Sequence, residues 1–217
     1  MSNFKDKILN LTSKYYEELN NDFSHDINHV FRVERLAKQI GQDEEADLEI
    51  LEAATLLFDV ARGLEDRGEV EDHAKAGSDI AREILYKINF PKEKIEPVCH
   101  AILVHRKSMD RVPETTEAKI LQDADYLDAL GAIDVARIIG SSFQSKKYRR
   151  PIYDGKPSNK LEDNNKSAIN YLLYKISHPK MQPTNFHTRL GRKYAKERFK
   201  FVEEFARRFI SEWEGKE

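Results

Sequence analysis

Ala53-Ala54-Thr55-Leu56-Leu57-Phe58-Asp59, residues 53–59, is apolar on nearly every side of a helix until its last residue. A helix of that kind has no solvent face and belongs at the centre of a core, so Asp59 leaves deep packing at its end. The spacing predicts a helix from near Asp43 that stops at Gly63, and such a helix needs neighbours to cover it. The chain supplies them on both sides. Upstream, Phe4, Ile8, Leu11, Tyr15 and Leu19 trace one helical face before Asn20-Asn21-Asp22 breaks it. Ser24 is placed to cap a second helix, with Asp26 in its first turn, Val30, Val33, Ala37 and Ile40 inward, and Gly41 just past its end.

Downstream, Asp72 suits the start of a helix with Ala76, Ile80, Ile84 and Ile88 inward, ending before Pro91. Ile95, Val98, Ile102 and His105 share the stripe of the next, and Thr116 to about Gly140 reads as another. Residues 141–166 are polar and turn-rich and predict a long loop, followed by helices at about 167–177 and 185–213. Strand-like alternation is not convincing anywhere, and no internal repeat is evident. The expectation is an all-α single domain, with a core at about 22–140, a loop at 141–166 and C-terminal helices at 167–213.

The 217 residues suffice for a sizeable interior. Charged residues make up 34% of the chain yet the net charge is only −2, so both signs are interspersed. That argues against nucleic acid as a partner. A single cysteine, Cys99, permits no internal disulfide, which favours a reducing compartment. The start of the chain lacks a signal-type apolar core, and no apolar run approaches spanning length. Together these give the expectation of a cytoplasmic protein with no membrane partner. The amphipathic terminal helices offer a surface for a homodimer.

Scattered along these helices is a line of acids and imidazoles that one metal site could gather: His25, Asp26, His29, Asp59, His73, His105, Asp123 and Asp125. His25-Asp26-Ile27-Asn28-His29 has the i, i+4 histidines of a zinc-peptidase helix, with Asp in place of Glu. A solvated His25 in a first helical turn explains it better. His100 sits about 140° from His105 around a helix, so the two do not readily face one site. Asp123 and Asp125 project about 200° apart, so one of them at most can be a ligand.

Three stretches carry a resemblance. His29-Val30-Phe31-Arg32-Val33 looks like the opening His-x-x-Arg-Val of HD-domain metal-dependent phosphohydrolases. Ala54-Thr55-Leu56-Leu57-Phe58-Asp59-Val60-Ala61-Arg62 resembles their Ala-x-Leu-Leu-His-Asp-Ile-x-Arg signature. Gln122-Asp123-Ala124-Asp125-Tyr126-Leu127-Asp128-Ala129-Leu130-Gly131-Ala132-Ile133 is similar to a segment of one bacterial subgroup, which includes nucleoside-triphosphate pyrophosphatases. The likeness extends to the tail, at Met181, Thr184, Ala195, Arg198, Phe205 and Glu212-Trp213.

The resemblance implies metal ligands at His29, position 58, Asp59 and Asp125, and drops His25-Asp26 from the set. Position 58 is Phe58, which cannot ligate. One imidazole and two carboxylates suit a divalent ion, with Mn²⁺, Mg²⁺, Fe²⁺, Zn²⁺ and Ni²⁺ all admissible. His73 and His105 match family histidines that serve a second metal or the phosphates. A hydrogen-bonded core histidine is an equally good account of His105. Asp128, one turn from Asp125, would orient a ligand or the substrate.

Arg32, Arg62 and Arg137 are candidates for gripping phosphate oxygens, and Lys146 and Lys147, beside Arg149 and Arg150, for gathering a triphosphate. A buried ion pair for Arg32 or Arg62, and a solvated loop for the lysines, are the plainer alternatives. The expectation is a metal-dependent phosphohydrolase acting on a nucleotide or other phosphate ester. Phe58 leaves three options open: a weakened metal site, a site that recruits His73 or water, and a scaffold that keeps a nucleotide or anion pocket without hydrolysis.

Overall fold

The computed structural model describes residues 4–17, 26–144 and 149–216. Among them there are helices and no strands, so the chain is all-α. Two compact units divide it, the first ending at Asp125 and the second beginning at Tyr126. No helix among the described residues is long and apolar enough to cross a membrane.

In the first unit, α1 (Phe4–Glu17), α2 (Ile27–Asp43), α5 (His73–Lys87) and α6 (Lys92–Val104) all pack on α3 (Leu48–Leu57). The centrality expected of residues 53–59 holds: Ala54, Leu56, Leu57 and Phe58 have no exposed surface. Three aspartates open the helices of the site. Asp26 accepts from the His29 amide, Asp47 from the Glu49 and Ile50 amides, and Asp72 from the Ala74 amide. Each satisfies donors that a helix start leaves unpaired.

The helix boundaries and faces differ from expectation in several places. Asp26 is itself the cap of α2, outside its first turn, and the proposed cap Ser24 lies outside the described residues. Gly41 does not end α2, which runs to Asp43 because Gly41 is buried against Leu48 and Leu51. The central helix starts at Leu48 and closes at Phe58, and a separate short helix, α4 (Arg62–Asp66), follows the turn through Asp59. On α5 the deepest residues are Ala74, Ala81 and Leu85, with Gly77 and Ser78, while Ala76 and Ile80 are half-buried. Small residues let α6 close in: a Cβ on Gly77 would stand 3.6 Å from Ile102 Cγ2 and 3.4 Å from Phe58 O.

The helix expected over 116–140 is two. α7 (Thr116–Asp128) stops before Gly131, whose φ of +84° favours glycine, and α8 (Ala132–Gln144) starts afresh. In the second unit α8, α9 (Ala168–Ser177) and α10 (Arg189–Trp213) enclose a core of Val135, Ile138, Tyr153, Ala168, Ile169, Leu172 and Val202. Arg198 closes over Gly131 and donates to Leu127 O at 2.5 Å. Between α8 and α9 the described chain is irregular except for a short 3₁₀ turn at Leu161–Asp163.

Candidate metal centre

Five side chains meet inside the first unit. His29 comes from the first turn of α2, Asp59 from the turn after α3, His73 from the first residue of α5, His105 from the end of α6, and Asp125 from α7. All but Asp125 are almost fully buried, and Asp125 retains 22% side-chain exposure. Asp59 stands between two groups. Its Oδ2 lies 3.6 Å from His29 Nε2, which is itself 3.4 Å from Asp125 Oδ1. Its Oδ1 lies 3.4 Å from His73 Nε2 and 3.9 Å from His105 Nε2, and those two nitrogens are 3.3 Å apart.

The rings are fixed from behind. His73 Nδ1 is 2.7 Å from Glu65 Oε2, and His105 Nδ1 is 2.7 Å from Ile102 O. A carbonyl and an ionised carboxylate only accept, so both Nδ1 atoms carry hydrogen. With Nδ1 of each ring so committed, both Nε2 atoms point at each other and at the Asp59 carboxylate. Three acceptors crowded together need a cation among them, a proton on one ring or a metal ion. The spacing suits a metal: bonds of about 2.0–2.1 Å in a tetrahedral set put ligand atoms about 3.4 Å apart. Asp59, His73 and His105 offer ligand atoms all within 4.8 Å of one another.

Charge follows the same pattern. Burial pushes the Asp59 carboxyl up, but the electrostatic pull of His73, His29, Arg62 and His105 outweighs it and holds the group far below the ordinary range. Burial likewise acts upward on Asp125 and is overcome chiefly by His29. Burial depresses His105, against the opposing pull of Asp59.

Phe58 fills the space between the two groups, edge-on to His29 at 5.6 Å and to His105 at 5.2 Å between ring centres. It is fully buried. The ring packs against both imidazoles.

The remaining residues singled out in the sequence fall as follows. Arg62 lies 3.6 Å from Asp66 one helical turn on, and Arg32 is half-buried on α2. In the second unit, Arg137 donates to both the carbonyl and the carboxylate of Asp128, at 3.0 and 2.7 Å. His25, Lys146 and Lys147 lie outside the described residues.

Three contributors were not visible in the sequence. Glu65 orients His73 and is itself held by Arg106 at 2.8 Å, which also reaches Asp72. Tyr16 donates to Leu56 O at 2.8 Å, capping a carbonyl at the end of α3 just before Phe58 and Asp59. Lys107, almost buried, places its ammonium 3.6 Å from the fully buried Asp123. Burial pulls the Lys107 pKa down against the pull of Asp123 and Asp125. Nothing in local spacing marks Glu65 or Lys107, which depend on short turns whose path the sequence does not reveal.

The HD domain model matches residues 26–130, the segment that holds all five residues. Across 195 residues the chain is 29% identical to the uncharacterised protein YpgQ of Bacillus subtilis, covering 88% of this chain and 85% of that one. The crystal structure of a predicted HD superfamily hydrolase from an uncultured Thermotogales bacterium is 31% identical, with a TM-score of 0.68 over 96% of this chain and 92% of the other. YpgQ crystallised in complex with ADP has the same fold, with a TM-score of 0.69 at 24% identity, over 98% of this chain and all of that one.

Proposed function

The chain belongs to the HD superfamily, and from that premise we propose that it is a metal-dependent phosphohydrolase whose substrate is a nucleotide. The observation that carries the reading is the crowding of His73 Nε2, His105 Nε2 and Asp59 Oδ1 within 3.9 Å, with both Nδ1 atoms committed elsewhere. Hydrogen bonding alone leaves that arrangement one cation short. A divalent ion bound there supplies an acidified water and withdraws charge from the phosphoryl group.

The chain's own residues would divide the rest of the work. Glu65 and the Ile102 carbonyl hold the two rings in the tautomer that presents Nε2. His29, lying between Asp59 and Asp125, would keep a proton within reach of the reacting oxygens. Asp125 is the most exposed of the five, with 22% side-chain exposure, and so is the one a substrate can reach from solvent. Arg62 and Arg32 are the guanidinium candidates for phosphate oxygens. Nucleotide as substrate class draws on YpgQ, whose crystals hold ADP.

Turnover over a panel of nucleoside mono-, di- and triphosphates and simple phosphomonoesters, with Mn²⁺, Co²⁺, Zn²⁺ or Mg²⁺ added to chelator-stripped protein, tests this. Metal-dependent release of phosphate or pyrophosphate from a nucleotide supports it. Absence of turnover with every metal, alongside nucleotide binding in calorimetry, would favour the second reading, a scaffold that retained its pocket after position 58 became Phe58.

A further inference from the structure

We propose that this chain holds one metal ion, on the His73–His105 side of Asp59, and that His29 and Asp125 are not ligands to it. The inference rests on the metal reading above and assigns which residues carry the ion.

The two groups flanking Asp59 differ in composition and spacing. On one side His29 Nε2 faces two carboxylates, Asp59 Oδ2 at 3.6 Å and Asp125 Oδ1 at 3.4 Å. That group sets one imidazole nitrogen against two carboxylates, and a hydrogen on Nε2 would serve Asp125 Oδ1 at 3.4 Å. On the other side two Nε2 atoms and a carboxylate oxygen face one another, and both back nitrogens already donate, to Glu65 and to Ile102 O. That group presents three ligand atoms and no donor when its rings are neutral.

Phe58 separates the two. Its ring lies 5.6 Å from His29 and 5.2 Å from His105 and is fully buried, so it occupies space that an imidazole ligand at position 58 would share with an ion beside His29. An ion on the His29 side would have one imidazole, two carboxylates and an apolar wall. An ion on the other side has two imidazoles and a carboxylate already spaced as ligands. Ligands of two histidines and one carboxylate suit Zn²⁺, Fe²⁺ or Co²⁺ better than Mg²⁺.

The test is titration of chelator-stripped protein with Co²⁺, read by visible absorption and by metal analysis after gel filtration, with circular dichroism as the control for folding. The wild-type chain is expected to bind one equivalent. His73→Ala and His105→Ala are expected to weaken binding by roughly a hundredfold or more, at least the loss seen for outer partners of metal ligands. His29→Gln and Asp125→Asn should stay within about threefold of wild type, and Phe58→His should admit a second equivalent.

Loss of the ion in His29→Gln or Asp125→Asn overturns the assignment, as does a wild-type stoichiometry of two. Either result leaves the phosphohydrolase reading intact. A wild-type chain that binds no Co²⁺ overturns the assignment and removes the metal basis of the function, the crowded pair being then a protonated histidine pair. Because Co²⁺ alone is the probe, the result does not depend on knowing the substrate.

Discussion

His73 Nε2 and His105 Nε2 stand 3.3 Å apart, each ring pinned from behind by a different kind of acceptor, a carboxylate for His73 and a main-chain carbonyl for His105. The carbonyl cannot be removed by mutation. The carboxylate can, which makes Glu65 the point at which the centre is most open to test.

Glu65→Gln replaces an obligate acceptor with an amide that can donate to Nδ1, moving the proton of a neutral His73 to Nε2, where it blocks a ligand position. Metal affinity is expected to fall about 10- to 100-fold, the usual cost of losing a partner that orients a metal-bound histidine. Arg106 also loses one of its two acids and keeps Asp72. Titration of stripped protein with Co²⁺ measures the effect. Affinity equal to wild type would mean that Glu65 does not set the tautomer.

Phe58→Ala removes a fully buried ring that touches His29 and His105. Truncation of such a side chain costs about 3–5 kcal/mol, the range for buried Phe→Ala. Urea unfolding gives the number. A loss under about 1 kcal/mol would show that water or rearranged neighbours fill the space at little cost, and that the ring is not a structural wedge.

Cys99 is buried on α6, with its carbonyl accepting from Ser78 Oγ at 3.0 Å. Burial pushes its thiol up to about 11, outweighing the opposing pull of Arg82. The thiolate is the nucleophile, so at pH 8 the folded protein should resist alkylation by iodoacetamide and react at once in 8 M urea. Mass spectrometry of samples quenched over an hour distinguishes the cases. Fast labelling of the folded chain would place the thiol in contact with solvent.

The parts of this molecule legible in its sequence are those governed by periodicity. The all-apolar run through Phe58 fixed the central helix, and the His105 stripe with Ile95, Val98 and Ile102 gave both the inward face of α6 and the direction of a site residue. Periodicity failed where a close approach replaces a large side chain by a small one. The face of α5 turned toward Ala74, Gly77 and Ala81 because α6 sits against it, and bulk hydrophobicity points instead at Ile80. It failed also at Gly131, where a left-handed backbone divides one apolar pattern into α7 and α8. Asp59, His73 and His105 stand out as candidates in the sequence, but the meeting of the two rings at the Asp59 carboxylate depends on the turn after α3 and on Glu65 in α4, neither of which has a repeating signal.

Asp47 offers a pH-dependent test of how the central helix is anchored. Its carboxylate caps α3 through the Glu49 and Ile50 amides and meets the Lys94 ammonium of α6 at 2.8 Å. Partial burial acts upward on its pKa, but Lys94 and the two amides outweigh that and hold it below the ordinary value of 3.8. A carboxylate with a depressed folded-state pKa binds protons more weakly folded than unfolded. Its stabilisation is therefore complete above the unfolded value and lost as the pH falls through the folded one. Asp47→Ala should destabilise the protein by about 0.5–2 kcal/mol at pH 7, the range for removing a helix cap. The gap between variant and wild type should hold from pH 7 down to about 5 and narrow below pH 3.8, as wild-type Asp47 itself takes up a proton. Urea unfolding of both proteins at pH 7, 5 and 3 measures it. A gap that stays constant to pH 3 would mean that the contribution of Asp47 does not depend on its charge, and that Lys94 adds nothing to the cap.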